Sequence, residues 1–284
     1  LEVGVGGRLD AVNCIDPTIA VITSISLDHC EWLGDTRELI AKEKVGIFRE
    51  SSKAVYGEAN VPVTVAQAAN KLNVDIVYQG KDFSFDDNHS SWSWQYKNTQ
   101  HQNLPVPKVL LQNASTALMV AQLLQSYFPI AEQEIHQGLE AVFIPGRLQK
   151  ISDTIVFDVA HNQDSVALLG DYLKQQTIVG KTFAVFSILK SKDFDNVISM
   201  IKDQIDIWYI APLLDDARGM KVVDIQKKLQ GLGVKEIVIC DSISQAFIKA
   251  KEDAGLEDFI VAFGSFGVVG DLSKNYHCAP DGAQ

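Results

Sequence analysis

From residue 154 onward the chain alternates between short apolar runs and longer helical stretches. "TIVFDVA", "TFAVFSIL", "DIWYIAPL", "KEIVICD" and "FIVAFGS" are five such runs, rich in β-branched and aromatic residues. Each has strand length, and segments with apolar residues at helical spacing separate them. A strand that is apolar on both faces must be covered on both. The alternation therefore predicts a doubly wound α/β domain around a parallel sheet. In open sheets of this kind ligands sit beyond the carboxyl ends of the strands. Polar clusters fall at those positions: "DVAHN", "SILKSKD", "PLLDDARG" and "GSFG" here, and "SLDH" after an earlier run at 18–25. Five in series point to a ligand crevice between two domains.

The earlier half is also α/β in character. "TIAVITSI" (18–25) reads as a buried strand, followed by a loop and by "TRELIAKEKVGIF" (36–48), helical with Thr36 as its N-cap. "KAVYG" and "VDIVYQ" read as strands around the helical "VTVAQAANKLN". "FSF" and "SWSWQY" suggest a solvent-facing hairpin, and two helices joined at Pro129 lead to the Pro145-Gly146 break. The expected division is an α/β domain over 1–146, incomplete at its N-terminal side, a second α/β domain over 147–272, and an unstructured tail over 273–284.

At 284 residues, 46% hydrophobic and 21% charged, the composition is that of an ordinary globular protein with room for two domains. A net charge of -11 argues against nonspecific nucleic-acid or anionic-membrane binding, though not against a local basic pocket for phosphates. No apolar run approaches the roughly 20 residues of a membrane span, and no segment reads as a signal peptide. Cys14, Cys30, Cys240 and Cys278 lack Cys-x-x-Cys spacing, so reduced thiols in a cytoplasm are the simplest reading.

The first thirteen residues, "LEVGVGGRLDAVN", hold a glycine turn after what reads as the end of a strand. Gly4 and Gly6 fit the dinucleotide pattern Gly-x-Gly-x-x-Gly, but Leu9 stands at the third position and a loop follows, not a helix. A bare turn explains the glycines but not Glu2, Arg8, Asp10 and Asn13 beside them, which suggest a site. "VGKTF" (179–183) copies the end of a phosphate-binding P-loop. Gln175 stands where its first glycine belongs and a strand follows, so it is rejected.

Asp28 and His29 follow the strand at 18–25. With Glu2 at another strand end they make a plausible oxygen-rich site for Mg2+, completed by phosphate and water. Lys44 stands on the next helix, where spacing alone allows a solvated charge. Arg147 after Pro-Gly offers a planar cation for phosphate. Asp158 and His161 stand at a strand end, where Asp158 could bond a ribose hydroxyl. Asn162 could cap the next helix, and capping and binding are compatible.

Taken together, "LEVGVGGRLDAVN", "ITSISLDHCEWLG", "KEKVGIFR", "QNASTAL", "PGRLQ", "DVAHN", "APL…ARG" and "FGSF" resemble segments of the folylpolyglutamate synthase/dihydrofolate synthase family, within the Mur-type ATP-dependent amide ligases, in family order over residues 1 to about 272. The resemblance implies the remainder of a P-loop-type central domain followed by a Rossmann-like C-terminal domain. It implies that Glu2 and His29 help hold two Mg2+ ions. Lys44 matches a lysine carbamylated in many relatives, and Asn113, Arg147, Asp158 and His161 match ATP contacts. It places Gly7, Arg8 and Asp10 near the pterin-bearing or glutamyl substrate. The implied partners are ATP, L-glutamate and dihydropteroate or folate, in a cytoplasmic monomer.

The family's chains begin with a P-loop that nothing here matches. The expectation is that these residues alone lack ligase activity, bind ATP weakly and leave an apolar sheet edge exposed. Two alternatives stand beside this reading: another Mur-type ligase, such as a cell-wall amino acid ligase, and an inert nucleotide-binding remnant.

Overall fold

The computed structural model describes residues 1–276, which form two compact units, Leu1–Phe143 and the residues from Ile144 onward. Each is described by itself. Among the described residues no helix is long and apolar enough to cross a membrane.

In the first unit, β1 (Ile19–Ile22), β2 (Lys53–Tyr56) and β3 (Asp75–Tyr78) form a parallel sheet in that order. The helices α1 (Cys30–Leu33), α2 (Arg37–Lys44) and α3 (Val63–Lys71) fall between its strands. Ile22, Ile40, Ala54, Tyr56 and Val65 share the core of this layer. Thr36 caps α2, its hydroxyl accepting from the Leu39 N–H at 3.3 Å, which is the role its sequence position suggests. The strand expected over 18–25 pairs only over four residues. The helix expected to Phe48 ends at Lys44, passing into a 3-10 turn, Val45–Ile47.

The expected solvent-facing hairpin is instead part of a three-stranded antiparallel sheet, β4 (Phe83–Asp87), β5 (Trp92–Tyr96) and β6 (Thr99–Leu104). Phe83, Trp92 and Trp94 are buried, in one cluster with Leu118 and Met119 of α4 (Leu111–Leu124). The alternation in "SWSWQY" is that of a strand with one covered face, and the cover is this helix. α5 (Glu132–Ala141) closes the unit.

The second unit is the doubly wound domain anticipated from its alternation. Its six strands are β7 (Gln149–Ser152), β8 (Ile155–Phe157), β9 (Thr182–Phe186), β10 (Ile207–Ile210), β11 (Ile237–Ile239) and β12 (Phe259–Phe263), ordered β11-β10-β9-β12-β8-β7. All neighbours are parallel except β7, an antiparallel edge strand with a polar sequence. Helices α6 (Gln163–Gln175), α7 (Phe194–Ser199), α8 (Val222–Gly231), α9 (Ile243–Asp253) and α10 (Phe266–Ser273) follow the parallel strands in turn, and separate buried clusters fill the two faces of the sheet. The last strand, β12, lies between β8 and β9. The carboxyl ends of β8 and β12 are therefore neighbours although about a hundred residues separate them.

The first residues of the tail expected from residue 273 are ordered into the unit. Ser273 belongs to α10, and the Tyr276 ring packs edge-on against Phe247, with centroids 4.8 Å apart. The rest of that expected tail, 277–284, lies outside the described residues.

Candidate functional site

The opening glycine loop lies against the end of α2. A Cβ on Gly7 would stand 2.9 Å from the Glu43 carbonyl oxygen and 3.1 Å from that of Lys44, so only glycine allows this approach. The loop's polar side chains are engaged within the unit. Asp10 accepts from the N–H groups of Gly4, Val5 and Val12. These bonds, that from Val12 foremost, hold its carboxyl below the usual range. Arg8 makes a two-pronged ion pair with Glu43, and Asn13 donates to the carbonyls of Arg8 and Gly46. Arg8, Asp10 and Asn13 thus have partners within the unit itself.

Glu2 is left facing a cleft of about 640 Å³, lined also by Lys44, Thr23 and Ser24 beyond β1, and Val120 and Leu124 of α4. Leu1 to Val3 join no strand among the described residues. Lys44 is half-buried. Its burial lowers the ammonium pKa, partly offset by the carboxylate of Asp28. His29 stands in the loop beyond β1, exposed, in a left-handed conformation (φ 53°) as the residue before α1. It does not line the Glu2–Lys44 cleft. Asn113 is exposed in the first turn of α4. Its neighbours Gln112 and Thr116 approach Thr23 and Gly57, beyond the carboxyl ends of β1 and β2.

One residue that sequence reasoning did not single out ties these loops together. Glu58, just beyond β2, accepts from the Ile25 N–H at 3.3 Å, from Arg37 Nη2 at 2.7 Å and from the Tyr56 hydroxyl at 3.0 Å. Ile25 leads into the Asp28–His29 loop, and Arg37 opens the helix that ends in Lys44. No local pattern marks such a tie, because two of its three partners, Ile25 and Arg37, are distant in sequence.

In the second unit, Arg147, Asp158 and His161 gather beyond β8. Asp158 is 6% exposed, and each carboxylate oxygen accepts a backbone N–H at 2.7 Å, one from Leu148 and one from Ala160. Burial pushes its carboxyl up, against the pull of those two bonds and of the charges on Arg147 and His161. The Val159 N–H donates to Gly146 at 2.8 Å. The turn bearing Arg147 is thereby fastened across the end of β8. His161 Nδ1 lies 2.7 Å from the Val159 carbonyl. A carbonyl only accepts, so Nδ1 carries a proton. Asn162 caps α6, accepting from the Ser165 N–H at 3.0 Å. Phe266, at the start of α10, lies beside both Arg147 and His161. The Arg147 guanidinium is 5.8 Å from its ring centroid, and the His161 ring is also at 5.8 Å.

This arrangement can meet an anionic ligand with a guanidinium and an imidazole at strand ends, where open α/β sheets bind theirs. In the first unit the donors suit a divalent cation held only in part by protein. No group of three or more His, Cys, Asp or Glu side chains gathers among the described residues. Of the two charged groups on the cleft only Glu2 offers a ligand oxygen, leaving the remaining positions to phosphate and water. That fits Mg2+, which keeps much of its hydration and favours phosphate oxygens.

Comparison with known proteins bears on both units. Residues 1–121 match the Mur ligase middle domain, and residues 146–266 match the Mur ligase glutamate ligase domain. The chain is 37% identical over 276 residues to the dihydrofolate synthase/folylpolyglutamate synthase of Escherichia coli (strain K12), covering 96% of this chain and 64% of that protein. It thus spans slightly under two thirds of that relative's length. Among solved structures it is similar to E. coli FolC in complex with DHPP and ADP, with a TM-score of 0.89, 36% identity, and coverage of 96% of this chain and 65% of that one. It is equally similar, with a TM-score of 0.89 and 37% identity, to the bifunctional folylpolyglutamate synthase/dihydrofolate synthase from Yersinia pestis c092 complexed with AMPPNP and Mn ion, covering 98% and 66% respectively.

Proposed function

The chain belongs to the Mur ligase family, and from that premise we propose that it carries the machinery of an ATP-dependent glutamate ligase of the folate type. Its substrates in this reading are ATP, L-glutamate and either dihydropteroate or a folate bearing a free γ-carboxylate. The observation that carries the proposal is the convergence of Arg147, Asp158 and His161 beyond β8, in a chain similar over nearly its whole length to enzymes solved with ADP and AMPPNP.

The reaction proceeds in two displacements. A carboxylate oxygen of the acceptor attacks the γ-phosphorus of ATP, and ADP leaves with the electrons of the broken P–O bond. The amino nitrogen of glutamate, having lost its proton, then attacks the carbonyl carbon of the acyl phosphate. The tetrahedral intermediate collapses to the amide and expels inorganic phosphate. Arg147 balances phosphate charge with a planar guanidinium that can bond two oxygens at once. Asp158 holds the Arg147 turn through Leu148 and presents His161 through Ala160, and a ribose hydroxyl is a further partner for its carboxylate. Asn113 is assigned to the nucleotide from the first unit.

We assign Glu2 and Lys44, on the cleft, to Mg2+, and His29 to it on the resemblance alone, since it does not line that cleft; the ion when bound would neutralise phosphate charge. The half-buried Lys44 amine is neutral more often than a solvated one. Carbamylation, which requires a neutral amine, would turn it into an oxygen ligand. Gly7, Arg8 and Asp10 remain assigned to the folate substrate through the loop they shape. Their internal partners support a part in setting the loop's form.

The test is a ligation assay with two proteins: these 284 residues, and a chimera joining them to the first third of the E. coli relative. The chimera is expected to release phosphate only when ATP, glutamate and dihydropteroate are all present, and the 284 residues alone to release none above background. A chimera that turns over UDP-linked muropeptide substrates and not dihydropteroate moves the chain to another branch of the family. A folded chimera that binds no nucleotide removes the proposal.

A further inference from the structure

Phe266 is a large apolar side chain that the fold does not use for burial. It opens α10, whose N-cap Ser265 accepts from the Val268 N–H at 3.2 Å. The helix buries Val268, Val269 and Leu272 but leaves Phe266 64% exposed. A ring so exposed contributes little to the core, so its place calls for another account. Its two flanks supply one. The Arg147 guanidinium carbon lies 5.8 Å from the ring centroid, within the range of a cation–π contact, and the His161 ring lies 5.8 Å from it at a tilt of 51°. Arg147 is itself exposed and comes from a turn, and an arginine side chain in water samples many rotamers. An aromatic ring beneath it narrows that choice while leaving the nitrogen edge of the guanidinium open to ligand oxygens.

We propose that Phe266 is a positioning residue of the nucleotide site, a ring that holds the Arg147 guanidinium in place for phosphate oxygens. This rests on the nucleotide reading given above and names a residue that reading does not include. The ring acts through its π-face, so tyrosine and tryptophan can replace it and aliphatic residues cannot. It acts through Arg147, so its removal costs little once Arg147 is gone. A merely structural role predicts neither pattern.

The experiment is a double-mutant cycle on the 284-residue chain, with ADP as the probe and affinity read by NMR titration. Arg147→Ala is expected to weaken ADP binding about tenfold, and Phe266→Leu three- to tenfold. Phe266→Tyr should stay within twofold of the parent, and the double variant R147A/F266L should bind no more weakly than R147A alone. The thermal midpoint of F266L should match the parent's, showing that the affinity loss is not unfolding. The proposal is overturned if F266L binds ADP as the parent does, if F266Y fails to restore binding, or if the two losses simply multiply in the double variant. If R147A itself leaves ADP affinity unchanged, the nucleotide reading falls first and the positioning role falls with it. A loss in R147A without one in F266L removes only the positioning role.

Discussion

Replacing Glu58 by alanine should loosen the first unit where its candidate groups are carried. One oxygen, Oε2, accepts from Arg37 Nη2, the Tyr56 hydroxyl and the Ile25 N–H. The Arg37–Glu58 pair is partly exposed, with side chains 31% and 23% accessible, so it is credited with only about 1 kcal/mol. The bonds from Tyr56 and Ile25 add about 1 kcal/mol each. Alanine also leaves Arg37 bonded only to the Asn60 carbonyl, at 2.9 Å, while its Nε is buried without a partner. The expected loss is about 3 kcal/mol. Glu58→Gln keeps an acceptor but not the charge, and should cost about half as much. Tyr56→Phe removes one bond and should cost about 1 kcal/mol. Urea unfolding followed by tryptophan fluorescence reads the effect, because Trp32, Trp92 and Trp94 all lie in this unit. Amide exchange at Ile25 should quicken in E58A beyond the change in global stability. If E58A costs no more than Y56F, or if the Ile25 amide keeps its protection, Glu58 is not the tie described here.

Other residues yield further expectations. Burial lowers the Lys44 pKa below its ordinary 10.5, so the folded state disfavours the charged form at neutral pH. Stability should therefore rise as pH climbs through the lowered folded value towards 10.5. Lys44→Met should flatten that rise and stabilise the chain at pH 7 by up to about 1 kcal/mol, measured by urea midpoints across pH. Gly57→Ala should cost about 2–3 kcal/mol in thermal unfolding, since a Cβ there would clash with Thr116 Oγ1 and stand 2.9 Å from the Thr23 carbonyl. Arg8→Ala should cost less than about 1 kcal/mol, because the Arg8 side chain is half exposed where it meets Glu43; a larger loss would mean that the glycine loop depends on that pair. Asp158→Ala should destabilise the second unit by about 2–3 kcal/mol, as two N–H groups lose their acceptor. It should also weaken ADP binding, and in the chimera raise KM for ATP more than for glutamate.

The strands of the second unit were legible because parallel strands covered on both faces must be apolar throughout, and "TFAVF" and "FIVAF" can be little else. β6 and β7 escaped notice for the converse reason. "TQHQNL" and "QKIS" are polar strands at sheet edges, and their pairing depends on neighbours distant in space. The burial of Trp92 and Trp94 was half written in their alternation, but the helix that covers them stands some twenty residues away. In the glycine loop residue type gave no hint of the internal partners: Asp10 and Asn13 bond loop and helix-end backbone and Arg8 pairs with Glu43, contacts that depend on groups brought close only by the fold. Phe266 lay in plain view within "FGSF", and only the fold could place it beside Arg147.

The acidic residues of the two units share one arrangement, which bears on how substitutions in them should be interpreted. Glu58 gathers the Ile25 N–H and an arginine; Asp158 gathers the N–H groups of Leu148 and Ala160 beside an arginine and a histidine. In each case the carboxylate turns inward to loop backbone, where an unmet donor is costly. Beyond β8, Arg147, carried by the fastened turn, is left exposed. An acid at a strand end invites a catalytic role by its type, yet its first demand here is the loop it fastens. Loss of Asp158 must therefore change stability and ligand affinity together. Loss of the exposed Arg147 should change affinity with little change in stability. The ratio of those two effects, compared between D158A and R147A, separates the brace from the group it holds in place.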